Sequence, residues 1–223
     1  MTETTFTIAY AAFSRLVAIV SPCAATAPPL AAVIADALMP IFTCLHFSEH
    51  EGRIELAATD RYTFAVARGE TKMPDGMDFV LPLKSVKHIL ATFKPGRRET
   101  LDLAFTVGDE AVSVTTTQPA LNQPTVTASY NLTTMGAFPV TRHFDITPSD
   151  MTPIDPAYLS RVPSIARREP VWFRGGGSGK VSAFYGPDWV IYIMAMRAAE
   201  GQSDWAAQWT AKDASTDPEP VSA

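Results

Sequence analysis

Cysteine is scarce in this sequence: the chain of 223 residues contains two, Cys23 and Cys44. Two cysteines are too few for a disulfide framework, and neither stands in a Cys-x-x-Cys or Cys/His spacing that would hold a metal ion. A reducing, intracellular environment is therefore the simpler interpretation. On this basis we expect a cytoplasmic protein.

A continuous apolar segment long enough to cross a membrane is also missing. Residues 16–35 carry no charge, but Pro22, Pro28 and Pro29 interrupt them, and each proline removes a helix hydrogen bond that lipid does not replace. A secretory signal would place basic residues before the apolar stretch, whereas Glu3 precedes Arg15 here. We expect neither a membrane span nor secretion.

Motifs for catalysis or cofactor binding are weak. The glycine-rich run at residues 175–180 resembles a phosphate-binding loop, but Arg174 occupies the place of its first glycine and Val181 that of its Ser/Thr. This run links two strand-like segments, so we expect a hairpin turn. His46 and His50 fall in a strand and turn rather than on one helix face, which disfavours a metal pair. The sequence predicts no enzyme activity, no cofactor and no metal site.

What the sequence does contain is one pattern repeated three times: a strand, a short helix, then two or three strands. With 47% hydrophobic and 10% aromatic residues, the chain has the material for a folded core, and the pattern predicts an α+β fold. The three passes begin near Phe6, Phe79 and Phe144, and in the first pass we expect a turn at His50-Glu51-Gly52 between two of its strands. We expect strands at residues 6–10, 41–47, 53–58, 62–68, 79–81, 101–107, 111–117, 129–135, 171–174, 180–185 and 189–196, and helices at 13–20, 83–93 and 156–166.

Positive charge is concentrated in two stretches, although the formal net charge is −5. Residues 84–98 and 161–168 hold eight of the 18 basic residues and no acidic ones. Two interpretations remain open, namely non-specific contact with phosphates and an ordinary solvated helix face. In the first stretch, lysines are predicted on the helix face away from the apolar stripe. The basic residues are Lys84, Lys87, Lys94, Arg97, Arg98, Arg161, Arg167 and Arg168.

Several short segments resemble the bacterial DNA polymerase sliding clamp, the β subunit. Residues 56–66 (LAATDRYTFAV) are similar to a strand pair of its middle domain, and residues 79–85 (FVLPLKS) to the "VLVPAKT" strand and helix start of that domain. Ala137-Phe138-Pro139 with Arg142 resembles its "FPxxR" connector, and residues 193–197 (IMAMR) resemble its closing "VMPMR". The resemblance covers roughly residues 6–197 and extends to the second half of the family's final domain.

The resemblance implies a DNA-clamp architecture of βαβββ units, with antiparallel sheets outside and helices on the inner face around duplex DNA. It divides the chain into a complete domain (residues 1–143), a partial domain (144–197) and a disordered tail (198–223). The implied function is that of a polymerase processivity factor, with non-specific contacts to double-stranded DNA. All eight basic residues named above would face the DNA, and the implied protein partners are a DNA polymerase, a clamp loader and other proteins with clamp-binding motifs.

The resemblance also implies a hydrophobic pocket for partner peptides, of which the Gln-x-Asp-Leu-Phe type is typical. The alternative for each aromatic or aliphatic member is that it fills the core. Carried over by motif, the pocket residues are Phe42, Thr59, Arg61, Tyr62, Phe64, Pro139, His143, Phe144, Tyr192, Ile193, Met194, Ala195 and Met196.

The sequence departs from the family in extent. The family has three domains of two units each, whereas about three units are recognisable here, which is compatible with a phage or mobile-element clamp. A half-domain leaves an open sheet edge and an uncovered apolar face, so we expect a homo-oligomer. The alternative function is a clamp-like decoy or adaptor that binds replication proteins without encircling DNA.

Overall fold

Two complete units and the larger part of a third follow one another along the chain. The computed structural model describes residues 3–25, 40–97, 99–116, 127–131, 154–166, 169–177 and 180–195. The first unit consists of β1 (Thr4–Ala9), α1 (Tyr10–Val20), β2 (Cys44–His50), β3 (Arg53–Thr59) and β4 (Thr63–Lys72). The second consists of β5 (Asp78–Pro82), α2 (Leu83–Thr92), β6 (Asp102–Val107), β7 (Ala111–Thr116) and β8 (Thr127–Asn131). The third contains α3 (Pro156–Leu159), α4 (Arg161–Ala166), β9 (Trp172–Arg174), β10 (Val181–Tyr185) and β11 (Trp189–Met194).

The predicted α+β class is confirmed, and within the described residues so is the repeated element order, with boundaries shifted by a few residues. Residues 41–43 belong to a 3₁₀ turn (Pro40–Thr43) rather than to β2, and β4 extends four residues beyond its predicted end, to Lys72. The boundary between residues 143 and 144, the predicted start of the third unit at Phe144, and the tail at residues 198–223 lie outside the described residues.

The first two units exchange their first strands. β1 pairs with β6 of the second unit, and β5 pairs with β2 of the first unit, both antiparallel. The result is a four-stranded sheet in the order β1-β6-β7-β8 and a seven-stranded sheet in the order β5-β2-β3-β4-β11-β10-β9. The third unit enters the larger sheet through β11, which pairs with β4 so that Tyr192 lies opposite Phe64.

The helices lie together on one side of the seven-stranded sheet. α1 packs on β3 and β4 and contacts both α2 and α4, so the three helices form a row in the order α2–α1–α4. The apolar faces of these helices and the inward side chains of both sheets form the main core. Strand alternation therefore divides the larger sheet into an inner face toward the helices and an outer face. Within the described ranges, no helix is long and apolar enough to cross a membrane.

Local sequence explains two of the turns. Glu51 and Gly52 both have positive φ, at 54° and 75°, which is the geometry of the two-residue hairpin turn that favours glycine at its second position. It joins β2 to β3 where the sequence predicted a turn. α2 ends at Thr92, one residue before its predicted end at Phe93, because Lys94 precedes Pro95 and a residue before proline disfavours the helical region.

The single helix predicted at residues 156–166 is corrected to two short helices, α3 and α4. Pro163 lacks the N–H that would bond to the carbonyl of Leu159, and its ring clashes with that carbonyl in a continuous helix. In the first turn of a new helix no such bond is needed. The helix therefore breaks at Ser160 and restarts at Arg161, with Asp155 accepting a 2.8 Å bond from the N–H of Ala157 to cap α3.

Candidate functional site

The exposed side of α2 carries two lysines that point away from the core. Leu83, Val86 and Ile89 are buried, and Lys84 and Lys87 lie on the opposite, exposed side of the helix. Beyond the end of the helix, two further predicted cations are also exposed, Lys94 and Arg97. Among the described residues, no carboxylate lies within 4.0 Å of any of the four, so no ion pair competes with an external anion. The other predicted cations Arg98, Arg167 and Arg168 lie outside the described residues.

Arg161 has a different environment from these cations. Its Nη1 lies 2.7 Å from Oδ2 of Asp60 and also donates to Oγ1 of Thr63. Its guanidinium carbon is 5.1 Å from the ring centroid of Tyr158. The guanidinium of Arg161 is thus paired within the protein, and it connects the third unit to the turn between β3 and β4. We therefore omit Arg161 from the candidate DNA-facing set.

No sequence motif singles out Arg15, which is a second link between the first and third units. Its guanidinium lies on α1 and makes ion pairs with Glu169 at 3.4 Å and with Asp188 at 3.1 Å. Both carboxylates belong to the third unit and are more than 150 residues away along the chain. No local spacing marks such a pair, so only the tertiary fold reveals it.

An apolar cluster covers the outer face of the larger sheet at the β4–β11 seam, and we call it the outer-face cluster. Phe64 and Tyr192 meet across the seam with ring centroids 6.2 Å apart, and burial raises the pKa of the Tyr192 phenol. An ion pair between Arg68 and Glu55, at 2.8 Å, borders the cluster. Its buried members are Ile41, Phe42, Ala57, Phe64, Ala183 and Tyr192, and its partly buried members are Ala25, Val66, Val181, Tyr185 and Val190.

The turn between β3 and β4 is organised by one carboxylate. Oδ1 of Asp60 accepts bonds from the N–H groups of Tyr62 at 3.0 Å and Thr63 at 2.8 Å, and from the Thr63 hydroxyl at 2.9 Å. Thr59 contributes a hydroxyl that donates to the Thr63 carbonyl at 2.7 Å. Arg61 has a φ of 86°, an unfavourable value for an arginine that the surrounding bonds maintain. The turn is therefore preorganised.

Above this turn, exposed side chains extend the outer-face cluster. The guanidinium carbon of Arg61 lies 5.9 Å from the ring centroid of Phe42. Tyr62 is exposed and stacks on Tyr158 at 5.7 Å, and its carbonyl accepts a 2.9 Å bond from the N–H of Met194. The side chain of Met194 is 43% exposed. The edge of the cluster thus offers aromatic, thioether and guanidinium groups to a ligand.

The structure brings most of the described pocket residues together, with one separated from the others. Phe42, Thr59, Arg61, Tyr62, Phe64, Tyr192 and Met194 lie on the outer face or on its adjoining turn. Ile193 is fully buried in the main core on the inner face, because neighbouring strand residues point to opposite faces. We therefore leave it out of the candidate surface. Ala195 is buried, and its N–H donates to the Lys180 carbonyl at 2.8 Å. Four predicted pocket residues lie outside the described residues: Pro139, His143, Phe144 and Met196.

In the described residues, the glycine-rich run and His46 have structural roles. The run connects β9 to β10, which pair antiparallel with Arg174 opposite Ala183, so it is a hairpin connection. His46 is buried with Nε2 2.8 Å from Oδ1 of Asp78. In the part of the chain that is described, no group of three His, Cys, Asp or Glu side chains is arranged to hold a metal ion.

Solved structures with the same architecture identify the fold. The sliding clamp of Pseudomonas aeruginosa superposes with a TM-score of 0.68 and 13% identity, covering 87% of this chain and 67% of that one. A structure of the sliding clamp of the same organism bound to griselimycin superposes with a TM-score of 0.67 and 14% identity, covering 87% of this chain and 66% of that one. The DNA polymerase III β subunit of Borrelia burgdorferi, in complex with a natural product, superposes with a TM-score of 0.62 and 11% identity, covering 88% of this chain and 65% of that one.

The chain thus spans about two thirds of the length of these solved clamps. No protein-family model matches the sequence, and no curated protein matches it. The similarity therefore rests on structure and on the short motifs rather than on overall sequence identity. At the level of the fold it confirms what the motifs predicted: the chain has the α+β fold of the bacterial DNA polymerase sliding clamp.

Proposed function

We propose that this protein is a sliding clamp, a non-enzymatic processivity factor that contacts duplex DNA through its helical side and partner peptides through its outer face. Its partners would be a DNA polymerase, a clamp loader and other proteins with clamp-binding motifs, in the cytoplasm. The fold supports this proposal. The chemistry of the described residues indicates what each of the two surfaces would bind.

The DNA-facing part of the proposal rests on Lys84, Lys87, Lys94 and Arg97. A clamp that slides needs contacts with phosphates that are weak, numerous and independent of sequence. Exposed ammonium groups on flexible side chains provide such contacts. All 23 acidic residues lie outside the two basic stretches, so the rest of the chain has an excess of negative charge, which favours DNA binding on the helical side.

The peptide-binding part rests on the outer-face cluster and its exposed edge. Aromatic and methionine side chains give adaptable apolar contacts that suit peptides of varied sequence. Arg61 and the neighbouring backbone offer polar partners at the rim. The preorganised turn around Asp60 lowers the entropic cost of binding, because Arg61 and Tyr62 are already held in position.

The observation that carries the proposal is the placement of these two surfaces on opposite sides of one sheet. The lysines project from the helices on the inner side, whereas the cluster covers the outer face across β4 and β11. A protein with this arrangement can hold DNA and a partner at the same time without competition between them. This is what tethering a polymerase to DNA requires.

Retention on circular DNA tests the proposed sliding function. We expect the protein to remain bound to nicked circular DNA during gel filtration, and to be released when one cut linearises the circle, since a sliding ring runs off free ends. The measurement is the fraction of protein that elutes with DNA before and after cutting. Peptide binding without retention on either form would favour the decoy or adaptor. A protein that neither binds the peptide nor stays on circular DNA would contradict both the sliding clamp and the decoy or adaptor.

Substitution of Met194 tests the peptide surface. Replacing this half-exposed thioether by lysine adds a charge to the apolar edge, so we expect at least about a tenfold loss of affinity, or ~1.4 kcal/mol. The probe is a fluorescein-labelled Gln-Ala-Asp-Leu-Phe peptide, and the measurement is fluorescence polarisation.

The matched control for this experiment is Phe173→Lys. It introduces the same charge at an exposed apolar position on β9, at the end of the same sheet and two strands away from β11. We expect the control to bind the peptide with unchanged affinity. Equal losses in the two variants, or no loss with Met194→Lys, would show that the peptide does not bind at the β4–β11 seam.

A further inference from the structure

The outer face of the larger sheet carries a second exposed surface on β9 and β10. Trp172 lies directly opposite Tyr185, a partly buried member of the outer-face cluster, and opposite residues of a ladder share a face. Arg174, two residues further along β9, points to the same face. Trp172 is 61% exposed. We call Trp172, Arg174, Lys180 and Tyr185 the β9–β10 patch.

The β9–β10 patch is positively charged. Arg174 is exposed on β9, and Lys180 is exposed just before the start of β10. Among the described residues, no carboxylate lies within 4.0 Å of either side chain. The patch therefore combines an exposed indole with two exposed cations, which is complementary to a segment that contains aromatic and acidic residues.

The sequence that follows β11 has this complementary composition. Residues 198–223 contain five acidic residues, one lysine and two tryptophans, Trp205 and Trp209. A segment with so few large apolar residues cannot bury them in a core of its own. The two indoles therefore either remain in water or are buried against the folded units.

The length of the connecting chain matches its distance from the β9–β10 patch. The N–H of Ala195 bonds to the Lys180 carbonyl, so the chain leaves β11 two strands away from β9. Strand spacings then place Trp172 about 20 Å from Ala195. Ten residues lead from Ala195 to Trp205, and a flexible chain of that length spans about 17 Å on average. Such a match maximises the effective concentration of a tethered ligand.

We propose that the segment around Trp205 docks on the β9–β10 patch of its own chain. Stacking of its indole on Trp172 removes apolar surface of both rings from water. Glu200 and Asp204 supply negative charge close to Trp205 in the sequence, and Arg174 offers a cation beside Trp172. Docking thereby covers an exposed aromatic surface that otherwise favours non-specific association.

Photo-cross-linking of the 223-residue chain tests this inference. Trp205 is replaced by p-benzoylphenylalanine, which keeps an aromatic side chain and inserts into nearby C–H bonds on illumination. We expect a product with the mass of one chain, 24.1 kDa, in which mass spectrometry finds residue 205 joined to β9 or β10. The absence of a cross-link would overturn the inference. So would a product of two chains, or a cross-link to Met194 or to the helices.

Two neighbouring aromatic residues on β9 provide a matched pair of variants. Trp172→Ala is expected to lower the cross-linking yield several-fold, because it removes the ring on which residue 205 stacks. Phe173→Ala is the control, since this ring lies opposite Phe184 of the main core and so on the inner face. Both side chains are more than half exposed, so both variants should keep the fold, which circular dichroism checks. Equal losses, or no loss with Trp172→Ala, would overturn the patch as the docking site.

Charge reversal tests the electrostatic contribution. Arg174→Glu combined with Lys180→Glu is expected to lower the yield several-fold, because the patch would then repel the acidic segment. Lys84→Glu combined with Lys87→Glu is the control, since it makes the same change of charge at exposed positions on α2. We expect the control to retain the yield. Equal losses would show that the net charge of the chain governs the contact, and would overturn recognition by the patch.

The inference does not depend on the proposed function. A chain that cross-links at the β9–β10 patch but is not retained on circular DNA would support the docked segment and contradict the sliding clamp. Retention on circular DNA without a cross-link would do the reverse.

Discussion

Replacing Asp60 by alanine is expected to lower the free energy of unfolding by roughly 3–5 kcal/mol, the range for breaking a buried ion pair. The side chains of Arg161 and Asp60 are only 23% and 12% exposed, so the arginine would be left with little solvent to replace its partner. The same change removes the acceptor of the bonds from Tyr62 and Thr63. Chemical denaturation followed by circular dichroism measures the loss.

An exposed ion pair provides the control for burial. Nη1 of Arg53 lies 2.8 Å from Oε1 of Glu70, but these side chains are 55% and 87% exposed. Glu70→Ala is expected to cost less than about 1 kcal/mol, since water screens such a pair and solvates what remains. Similar losses for Asp60→Ala and Glu70→Ala would show that burial does not determine the strength of the junction between the first and third units.

A double-mutant cycle separates the ion pair from the turn. Arg161→Met removes the pair and leaves the Asp60 turn intact, whereas Asp60→Ala removes both. If the pair and the turn contribute independently, Asp60→Ala will cost less in the Arg161→Met background than in the native chain, by the coupling energy. A coupling near zero would indicate that Asp60 acts only through its own turn.

Local pattern was sufficient for most individual elements. The alternation around Phe6 predicted β1, the apolar stripe beginning at Leu83 predicted α2 and its exposed lysines, and Gly52 predicted the turn between β2 and β3. Each of these depends on residues close together in the chain, where the period of burial and the backbone preferences act directly.

The local sequence pattern does not show which distant segments of the chain pair with each other. Alternation shows which side of β1 is buried, but not that its partner is β6, more than ninety residues later. The pairing of Arg161 with Asp60 is equally distant, so Arg161 was predicted as a DNA contact from its charge and the family resemblance. Motif resemblance supplied the fold that local periodicity could not.

Ile193 shows a limit of a different kind. β11 is apolar on both faces, so the alternation that places Tyr192 outside and Ile193 inside is hidden in an uninterrupted hydrophobic run. The pocket prediction therefore included neighbouring residues that point in opposite directions. The strand register resolves them, because Tyr192 lies opposite Phe64 of the outer face.

The second large effect is expected on DNA binding, from Lys84→Gln combined with Lys87→Gln. If each lysine contacts one phosphate, the slope of log K against log salt should fall by about two, and affinity at 0.1 M salt should fall by roughly 100-fold. Both side chains are exposed on the far side of α2 from the core, so stability should not change. Titration of a labelled duplex at several salt concentrations measures the slope.

The control removes the same charge from the strands. Lys72 ends β4 and Lys180 precedes β10, and both are exposed, so Lys72→Gln with Lys180→Gln changes the net charge equally without altering the helical row. An unchanged slope in this control, beside a reduced slope in the Lys84/Lys87 variant, would locate DNA on α2. Equal reductions would indicate a general charge effect and contradict a DNA-facing helix, because distance from the phosphates would then make no difference.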